Sequence, residues 1–106
     1  MKELKLNDRM KAAVLAGKKN VTRRIVKGQP ELEGGDRFKV GDKVFEVIEV
    51  FCDKLHEMNY LDCMYEGVGT HSEFMDLWNE IYGNWDANPW VWVYTFKEVE
   101  GEKSEN

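Results

Sequence analysis

The last apolar stretch of the chain, Trp90–Phe96, constrains the fold more than any other segment. It reads Trp-Val-Trp-Val-Tyr-Thr-Phe, so every side chain is aromatic or β-branched, a composition typical of a β-strand. Successive side chains of a strand point to opposite faces, so this strand is apolar on both faces. We therefore predict that it lies in the middle of a sheet, although it comes last in the chain.

A second run with apolar residues on both faces is Val44–Phe51. It is preceded by the shorter β-type run Arg37–Val40, and Gly41-Asp42 between the two runs predicts a tight reversal. Val21–Val26 is a third β-branched run, short enough for one strand. Alternation along it places Thr22 and Arg24 on the same face.

Two segments have helical periodicity. Asn7 is a good N-cap for a helix over about residues 8–16, and Gly17 is placed to end it in the left-handed conformation. Thr70–Gly83 is the clearer helix, with an apolar stripe at i, i+3, i+4 and i+7. Thr70 and Glu73 form a capping-box pair at its start, with Ser72 as a rival cap. Between the strands and this helix, residues 52–69 predict one or two short helical turns.

The order of these elements predicts one α+β domain. β-type runs outnumber the two main helices, and residues 27–36 form a glycine-rich loop with little to bury. A small, mainly antiparallel sheet that is apolar on both faces tends to curl into a partial barrel. We assign residues 1–99 to this domain and residues 100–106 to a disordered acidic tail.

The charge of the chain is unevenly distributed. The net charge is −5, but residues 1–28 carry +7 and residues 29–106 carry −12. The asymmetry marks either a local site for an anion or polar ligand, or two surfaces that neutralise each other in the fold. No membrane-spanning run or signal peptide is visible, and two cysteines without a pairing motif indicate reduced thiols, so we expect a cytoplasmic protein.

Much of the positive charge is concentrated near Gly17–Ile25, which contains a candidate catalytic pair. The hydroxyl of Thr22 is a weak nucleophile and needs a neighbouring base. Lys19 can be that base if its amine is desolvated or lies near other cations, and it could swing from the turn to the side of Thr22. Cationic neighbours are available at Lys18, Arg23 and Arg24. The alternative is an ordinary strand threonine beside solvated lysines.

Other side chains are candidates for ligand contacts. The planar guanidinium of Arg24 can clamp a carboxylate, a phosphate or a base edge, or else form a surface salt bridge. The aromatic residues Tyr82, Trp85 and Trp90 flank the last turn and are placed to form the rim of a site. The cysteine and histidine spacings do not resemble a zinc site, and no cofactor motif is visible, so we predict neither a metal nor a cofactor.

The segment Gly17-Lys18-Lys19-Asn20-Val21-Thr22-Arg23-Arg24 resembles the G-x-K-x-x-T-x-R signature of the ASCH (activating signal cointegrator homology) domain. Gly41-Asp42 before a strand, and a helix leading into the closing strand Trp90–Phe96, also match the family. The resemblance covers about residues 5–98 and is to small single-domain bacterial and phage members. It implies a PUA-like pseudo-barrel whose cleft binds RNA or a modified nucleoside.

One bacterial branch of the family is an amidohydrolase that removes the acetyl group of N4-acetylcytidine with threonine, lysine and glutamate. The resemblance implies that Thr22 is the nucleophile, Lys19 the base and Glu66 the carboxylate, with Glu73 as the fallback. The alternatives are a non-catalytic RNA or nucleotide-binding module, or a phage accessory regulatory protein with an apolar patch around Trp85 and Trp90. The partner is thus RNA or a small nucleoside, and the sequence does not indicate the oligomeric state.

Overall fold

The computed structural model describes the backbone of residues 2–103 and the side chains of residues 2–100. It contains five strands, three α-helices and two 3-10 turns. The strands are β1 (Lys2–Glu3), β2 (Val21–Ile25), β3 (Arg37–Val40), β4 (Lys43–Lys54) and β5 (Trp90–Lys103). The helices are α1 (Asp8–Leu15), α2 (Tyr60–Tyr65) and α3 (His71–Ile81), and the 3-10 turns are Leu55–Glu57 and Trp85–Ala87.

All five strands form one sheet in the order β1-β3-β4-β5-β2. The last strand, β5, lies between β4 and β2 and is antiparallel to both, as predicted from its apolar faces. The β4–β5 pairing is irregular between Val47 and Glu49, where a bulge increases the local twist. The sheet curls into a half-barrel, and the predicted α+β PUA-like architecture is confirmed.

Two apolar clusters cover the two faces of the sheet. On one face, α3 packs against β5 around Val91 and Val93. On the other face, α1 packs against the barrel interior around Tyr94 and Phe96. The pairing of Thr22 with Tyr94 and of Arg23 with Val93 confirms the predicted alternation along β2. Thr22 therefore lies on the α1 face and Arg23 on the α3 face.

The predicted helices are found with their predicted caps. The Asn7 side chain accepts a hydrogen bond from the backbone N–H of Met10 at 2.8 Å. Gly17, just after α1, has φ = 76°, the left-handed conformation that ends the helix. Thr70 is the N-cap of α3. The segment predicted to hold one or two helical turns contains the first 3-10 turn and α2.

Three details differ from the predictions. Leu32, in the loop that we expected to bury little, is only 1% exposed and belongs to the α1-side core. β1 was not predicted, because two polar residues carry no strand pattern. The backbone of residues 100–103 continues β5 instead of beginning the predicted tail, and residues 104–106 lie outside the described residues. The domain boundary therefore stays a prediction.

The described residues, 2–103, include no helix long and apolar enough to span a membrane.

Candidate binding cleft

The joint between α1 and β2 positions Lys19 against the segment that follows α2. The backbone N–H groups of Lys18 and Lys19 both donate to the carbonyl of Ala13, at 2.9 and 3.2 Å, which turns the chain tightly after the helix. Lys19 then forms an isolated antiparallel bridge with Glu66. The side chain of Lys19 is thereby directed into the protein.

Lys19 is a buried cation with a complete set of acceptors. It is 2% exposed, and its amine donates to Glu66 Oε1 at 2.5 Å, to the Val21 carbonyl at 2.7 Å and to the Glu66 carbonyl at 3.3 Å. These three bonds use all the protons of an ammonium group. Burial lowers the pKa of Lys19 below its ordinary value, and the neighbouring carboxylate of Glu66 opposes that shift.

Glu66 connects Lys19 to a second cation. Its Oε2 accepts a hydrogen bond from the Arg23 guanidinium at 2.9 Å, and both side chains are almost completely buried. Arg23 also lies 3.6 Å from Asp62 on α2. Of the two candidate carboxylates, Glu66 is therefore the one that contacts Lys19. The fallback, Glu73, instead accepts a hydrogen bond from the backbone of Gly69 beside the N-cap of α3.

Thr22 is fully buried, at 0% exposure, and its Oγ1 has no hydrogen-bond partner among the described residues. No hydrogen bond joins Lys19 to Thr22. The Lys19 amine donates instead to the carbonyl of Val21, the residue before Thr22, and to Glu66. All three amine protons of Lys19 are also engaged elsewhere.

A narrow crevice reaches Thr22 between β2, α1 and α3, at the edge of the sheet. Its space of about 10 Å³ is near the lower limit for one water molecule. Polar residues lining it include Thr22, Arg23, Arg24 and Glu66. Outside it lies a wider cavity of about 350 Å³. The two spaces share Met10, Arg24, Ile81 and Tyr82, and together we call them the cleft.

Arg24 and Tyr82 lie where the two parts of the cleft meet. One Nη of Arg24 donates to the backbone carbonyl of Lys5 at 2.5 Å, which leaves other guanidinium N–H groups for a ligand. The ring of Tyr82 packs against Trp78, with centroids 4.3 Å apart. The positively charged guanidinium of Arg24 and the aromatic ring of Tyr82 therefore flank the entrance to the crevice.

The remaining predicted contact residues do not line the cleft. Lys18 is exposed at the joint after α1. Trp85 is 6% exposed in the α3-side core, where its ring stacks on His56. Trp90 is 53% exposed, with the Lys54 amine 5.0 Å from its ring centre. The predicted rim position of Trp85 is thus not observed, nor is an exposed apolar patch that includes it.

The sequence did not identify some residues of the cleft. Met10 on α1 and Ile81 on α3 were not predicted as site residues, and only the structure shows that they line one cavity. Glu31 and Lys5 lie in segments without a pattern. No group of three or more metal-ligating side chains occurs within the described part of the chain.

The fold matches two solved structures, one of which is an ASCH domain. The crystal structure of an ASCH domain from Lactobacillus crispatus JV V101 superposes with a TM-score of 0.74 at 11% sequence identity, over 92% of this chain and 77% of that one. A DUF984 protein from Enterococcus faecalis V583 superposes with a TM-score of 0.66 at 12% identity, over 92% and 73% of the two chains. The chain thus has the ASCH-domain fold that its signature predicted. Neither a family model nor a curated protein matches its sequence.

Proposed function

We propose that the protein binds a modified pyrimidine nucleoside, free or within RNA, in the cleft. One observation carries this proposal: the fully buried Thr22 hydroxyl lacks a protein partner and lines a crevice that opens into a larger cavity. An unsatisfied buried polar group costs about 1–3 kcal/mol. Such a group in a native structure calls for a partner, which a bound ligand, or a water molecule in its absence, would supply.

The shape of the cleft indicates how the ligand lies. The inner crevice is too narrow for a ring and has room for about one water-sized group, so only the end of an exocyclic substituent would enter it towards Thr22. The outer cavity of about 350 Å³ is in the range of small-molecule sites, about 300–1,000 Å³, and takes the base and ribose. There Tyr82 offers an aromatic surface for the base, and Arg24 offers N–H donors for polar groups of the ligand.

Calorimetric titration with N4-acetylcytidine tests this binding role, and Thr22→Ser and Thr22→Val are the matched variants. Serine keeps the hydroxyl, and valine keeps the shape without it. A neutral hydrogen bond contributes about 0.5–1.5 kcal/mol, so Thr22→Val weakens binding about 2- to 13-fold while Thr22→Ser binds nearly as wild type. Absence of binding by the wild-type protein, or equal affinity of both variants, would reject the proposal.

Amidohydrolysis of the same ligand is the second candidate, and the environment of Lys19 favours it. A buried amine whose pKa is lowered is suited to act as a general base. Thr22 Oγ1 would attack the acetyl carbonyl carbon and pass its proton to Lys19. The amine of cytidine would leave with that proton, and water would cleave the acyl-threonine to acetate. Glu66 would orient the amine throughout.

This chemistry requires the neutral amine and one movement. Lys19, which donates all three protons of its ammonium form, must first lose one of them to solvent, and its lowered pKa favours that loss. The amine must then release the Val21 carbonyl and turn towards Thr22. Catalytic hydrogen bonds often form only when the substrate is bound, so we assign this movement to the binding of the nucleoside.

Chromatography of N4-acetylcytidine after incubation separates catalysis from binding. The hydrolase role requires release of cytidine and acetate by the wild type and by Thr22→Ser, and none above background by Thr22→Val or Lys19→Met. Binding by the wild type without turnover would leave the binding role standing and reject catalysis.

A further inference from the structure

A second cavity continues from the cleft across the N-terminal segment. It has a volume of about 430 Å³ and is lined by Glu3, Leu4, Lys5, Leu6, Lys11, Lys39, Val40 and Gly41. Lys5 and Leu6 also line the outer part of the cleft. The two spaces are therefore neighbours on one surface, and we call the second one the lysine groove.

The lysine groove is positively charged. Lys5, Lys11 and Lys39 line it beside a single acidic residue, Glu3. No ion pair within the described part of the chain joins any of these three lysines to an acid, whereas Lys2 nearby pairs with Asp36 at 2.8 Å. Three lysines thus outnumber the one glutamate around this concave surface, in a chain whose net charge is −5. Their convergence favours an anionic ligand.

A hydrogen bond connects the cleft to the wall of the groove. Arg24, which lines the cleft, donates a hydrogen bond to the carbonyl of Lys5, which lines both spaces. β1 holds the start of this segment by pairing in parallel with β3, so that Lys2 is opposite Phe38 and Glu3 opposite Lys39. The wall between cleft and groove is thus anchored at both ends, and positive charge continues from Arg24 past Lys5 into the groove.

We propose that the lysine groove binds the phosphates of a short single-stranded nucleic acid whose modified nucleoside occupies the cleft. This rests on the proposed function, and it assigns the ligand as a segment of a strand instead of a free nucleoside. Lysine binds phosphate as a point charge, and three lysines match a few phosphates in succession. Residues 29–106, with a net charge of −12, disfavour a long duplex lying across the rest of the surface.

The salt dependence of the affinity depends on the number of phosphates that the groove contacts. For a single strand, the logarithm of the affinity falls by about 0.7 per phosphate for each tenfold rise in salt. Three contacts predict a slope of about −2.1, which is an affinity loss of about 18-fold between 50 and 200 mM salt. A free nucleoside carries no phosphate, so its binding should change little with salt.

The experiment uses a fluorescently labelled five-nucleotide RNA with N4-acetylcytidine at its centre, measured by anisotropy across a salt series. Lys11→Gln/Lys39→Gln removes two groove lysines, and Lys97→Gln is the control at an exposed lysine on β5. We expect the double variant to reduce the slope by about 1.4 and the control to keep the wild-type slope. Titration of every variant with free N4-acetylcytidine should give wild-type affinity.

The inference is overturned if the RNA binds no more tightly than the nucleoside at 50 mM salt. It is also overturned if the double variant and the Lys97→Gln control have the same slope. Failure of the proposed function looks different, because then the free nucleoside does not bind or binds equally well to Thr22→Val.

Discussion

Gly67 is the position where one added methyl group should do the most damage to the cleft. It follows Glu66 directly and has φ = 89°, a conformation that residues with a side chain rarely adopt. A Cβ placed there would lie 2.9 Å from Lys19 Cβ and 3.1 Å from Ala13 Cβ. Both contact atoms are Cβ atoms, which side-chain rotation cannot move away. The clash is therefore relieved only if the backbone that carries Lys19 moves.

The expected loss of stability in Gly67→Ala has two parts. The left-handed conformation costs an alanine about 1–2 kcal/mol. Overpacking adds about 1–3 kcal/mol, because the neighbouring atoms cannot rotate away. Gly28→Ala is the matched control, since Gly28 has φ = 99° and no atom within 4 Å of its added Cβ. The control carries the conformational part alone.

Urea unfolding followed by tryptophan fluorescence measures both variants. We expect Gly67→Ala to lose about 1–3 kcal/mol more than Gly28→Ala, which at an m-value of about 1.5 kcal/mol/M is a midpoint lower by about 0.7–2 M. Equal losses in the two variants would refute the packing of Gly67 against Lys19.

Three further predictions concern the buried residues. Glu66→Gln leaves Lys19 and Arg23 buried without their carboxylate and should lower the free energy of unfolding by about 3–5 kcal/mol in urea unfolding, against about 1 kcal/mol for Glu73→Gln at the cap. Because burial lowers the pKa of Lys19 below 10.5, the unfolded chain binds an extra proton between the two values. Stability relative to Lys19→Met should therefore increase as the pH rises towards 10.5, and a constant or falling difference would contradict this. Leu32→Ala should cost about 2–5 kcal/mol, and a loss below 1 kcal/mol would show that the loop is not part of the core.

The elements that the sequence predicted well are those with a strong local signal. Trp90–Phe96 was placed inside the sheet because its apolar residues lie on both faces, and β5 pairs with strands on both sides. The caps of α1 and α3 were predicted because a capping side chain acts within its own turn. The ASCH signature supplied the fold beyond these local patterns, and the structural comparison confirms it.

The features that were missed depend on contacts between distant segments. Leu32 is one apolar residue among polar ones, and only the surrounding core makes its burial favourable. Trp85 follows a turn and was expected at a rim, but packing on His56 and Phe74 draws it inside. No sequence pattern within ten residues of Leu32 or Trp85 predicts that its side chain is buried.

The candidate site was predicted in part for the same reason. The pairing of Lys19 with Glu66 followed from the family resemblance, although 47 residues separate the two. The position of the Lys19 amine did not follow, because it depends on the Val21 and Glu66 carbonyls as acceptors. Alternation along β2 placed Thr22 correctly but could not show that its hydroxyl is left without a partner.

Titration of the ¹⁵N-labelled protein with N4-acetylcytidine, followed by backbone amide NMR spectra, shows directly whether a nucleoside occupies the cleft with its substituent directed at Thr22. We expect shifts concentrated at Thr22, Arg24 and Tyr82, which weaken in Thr22→Val and persist in Thr22→Ser. Shifts confined to the exposed surface around Lys54 and Trp90, or no shifts at all, would contradict it.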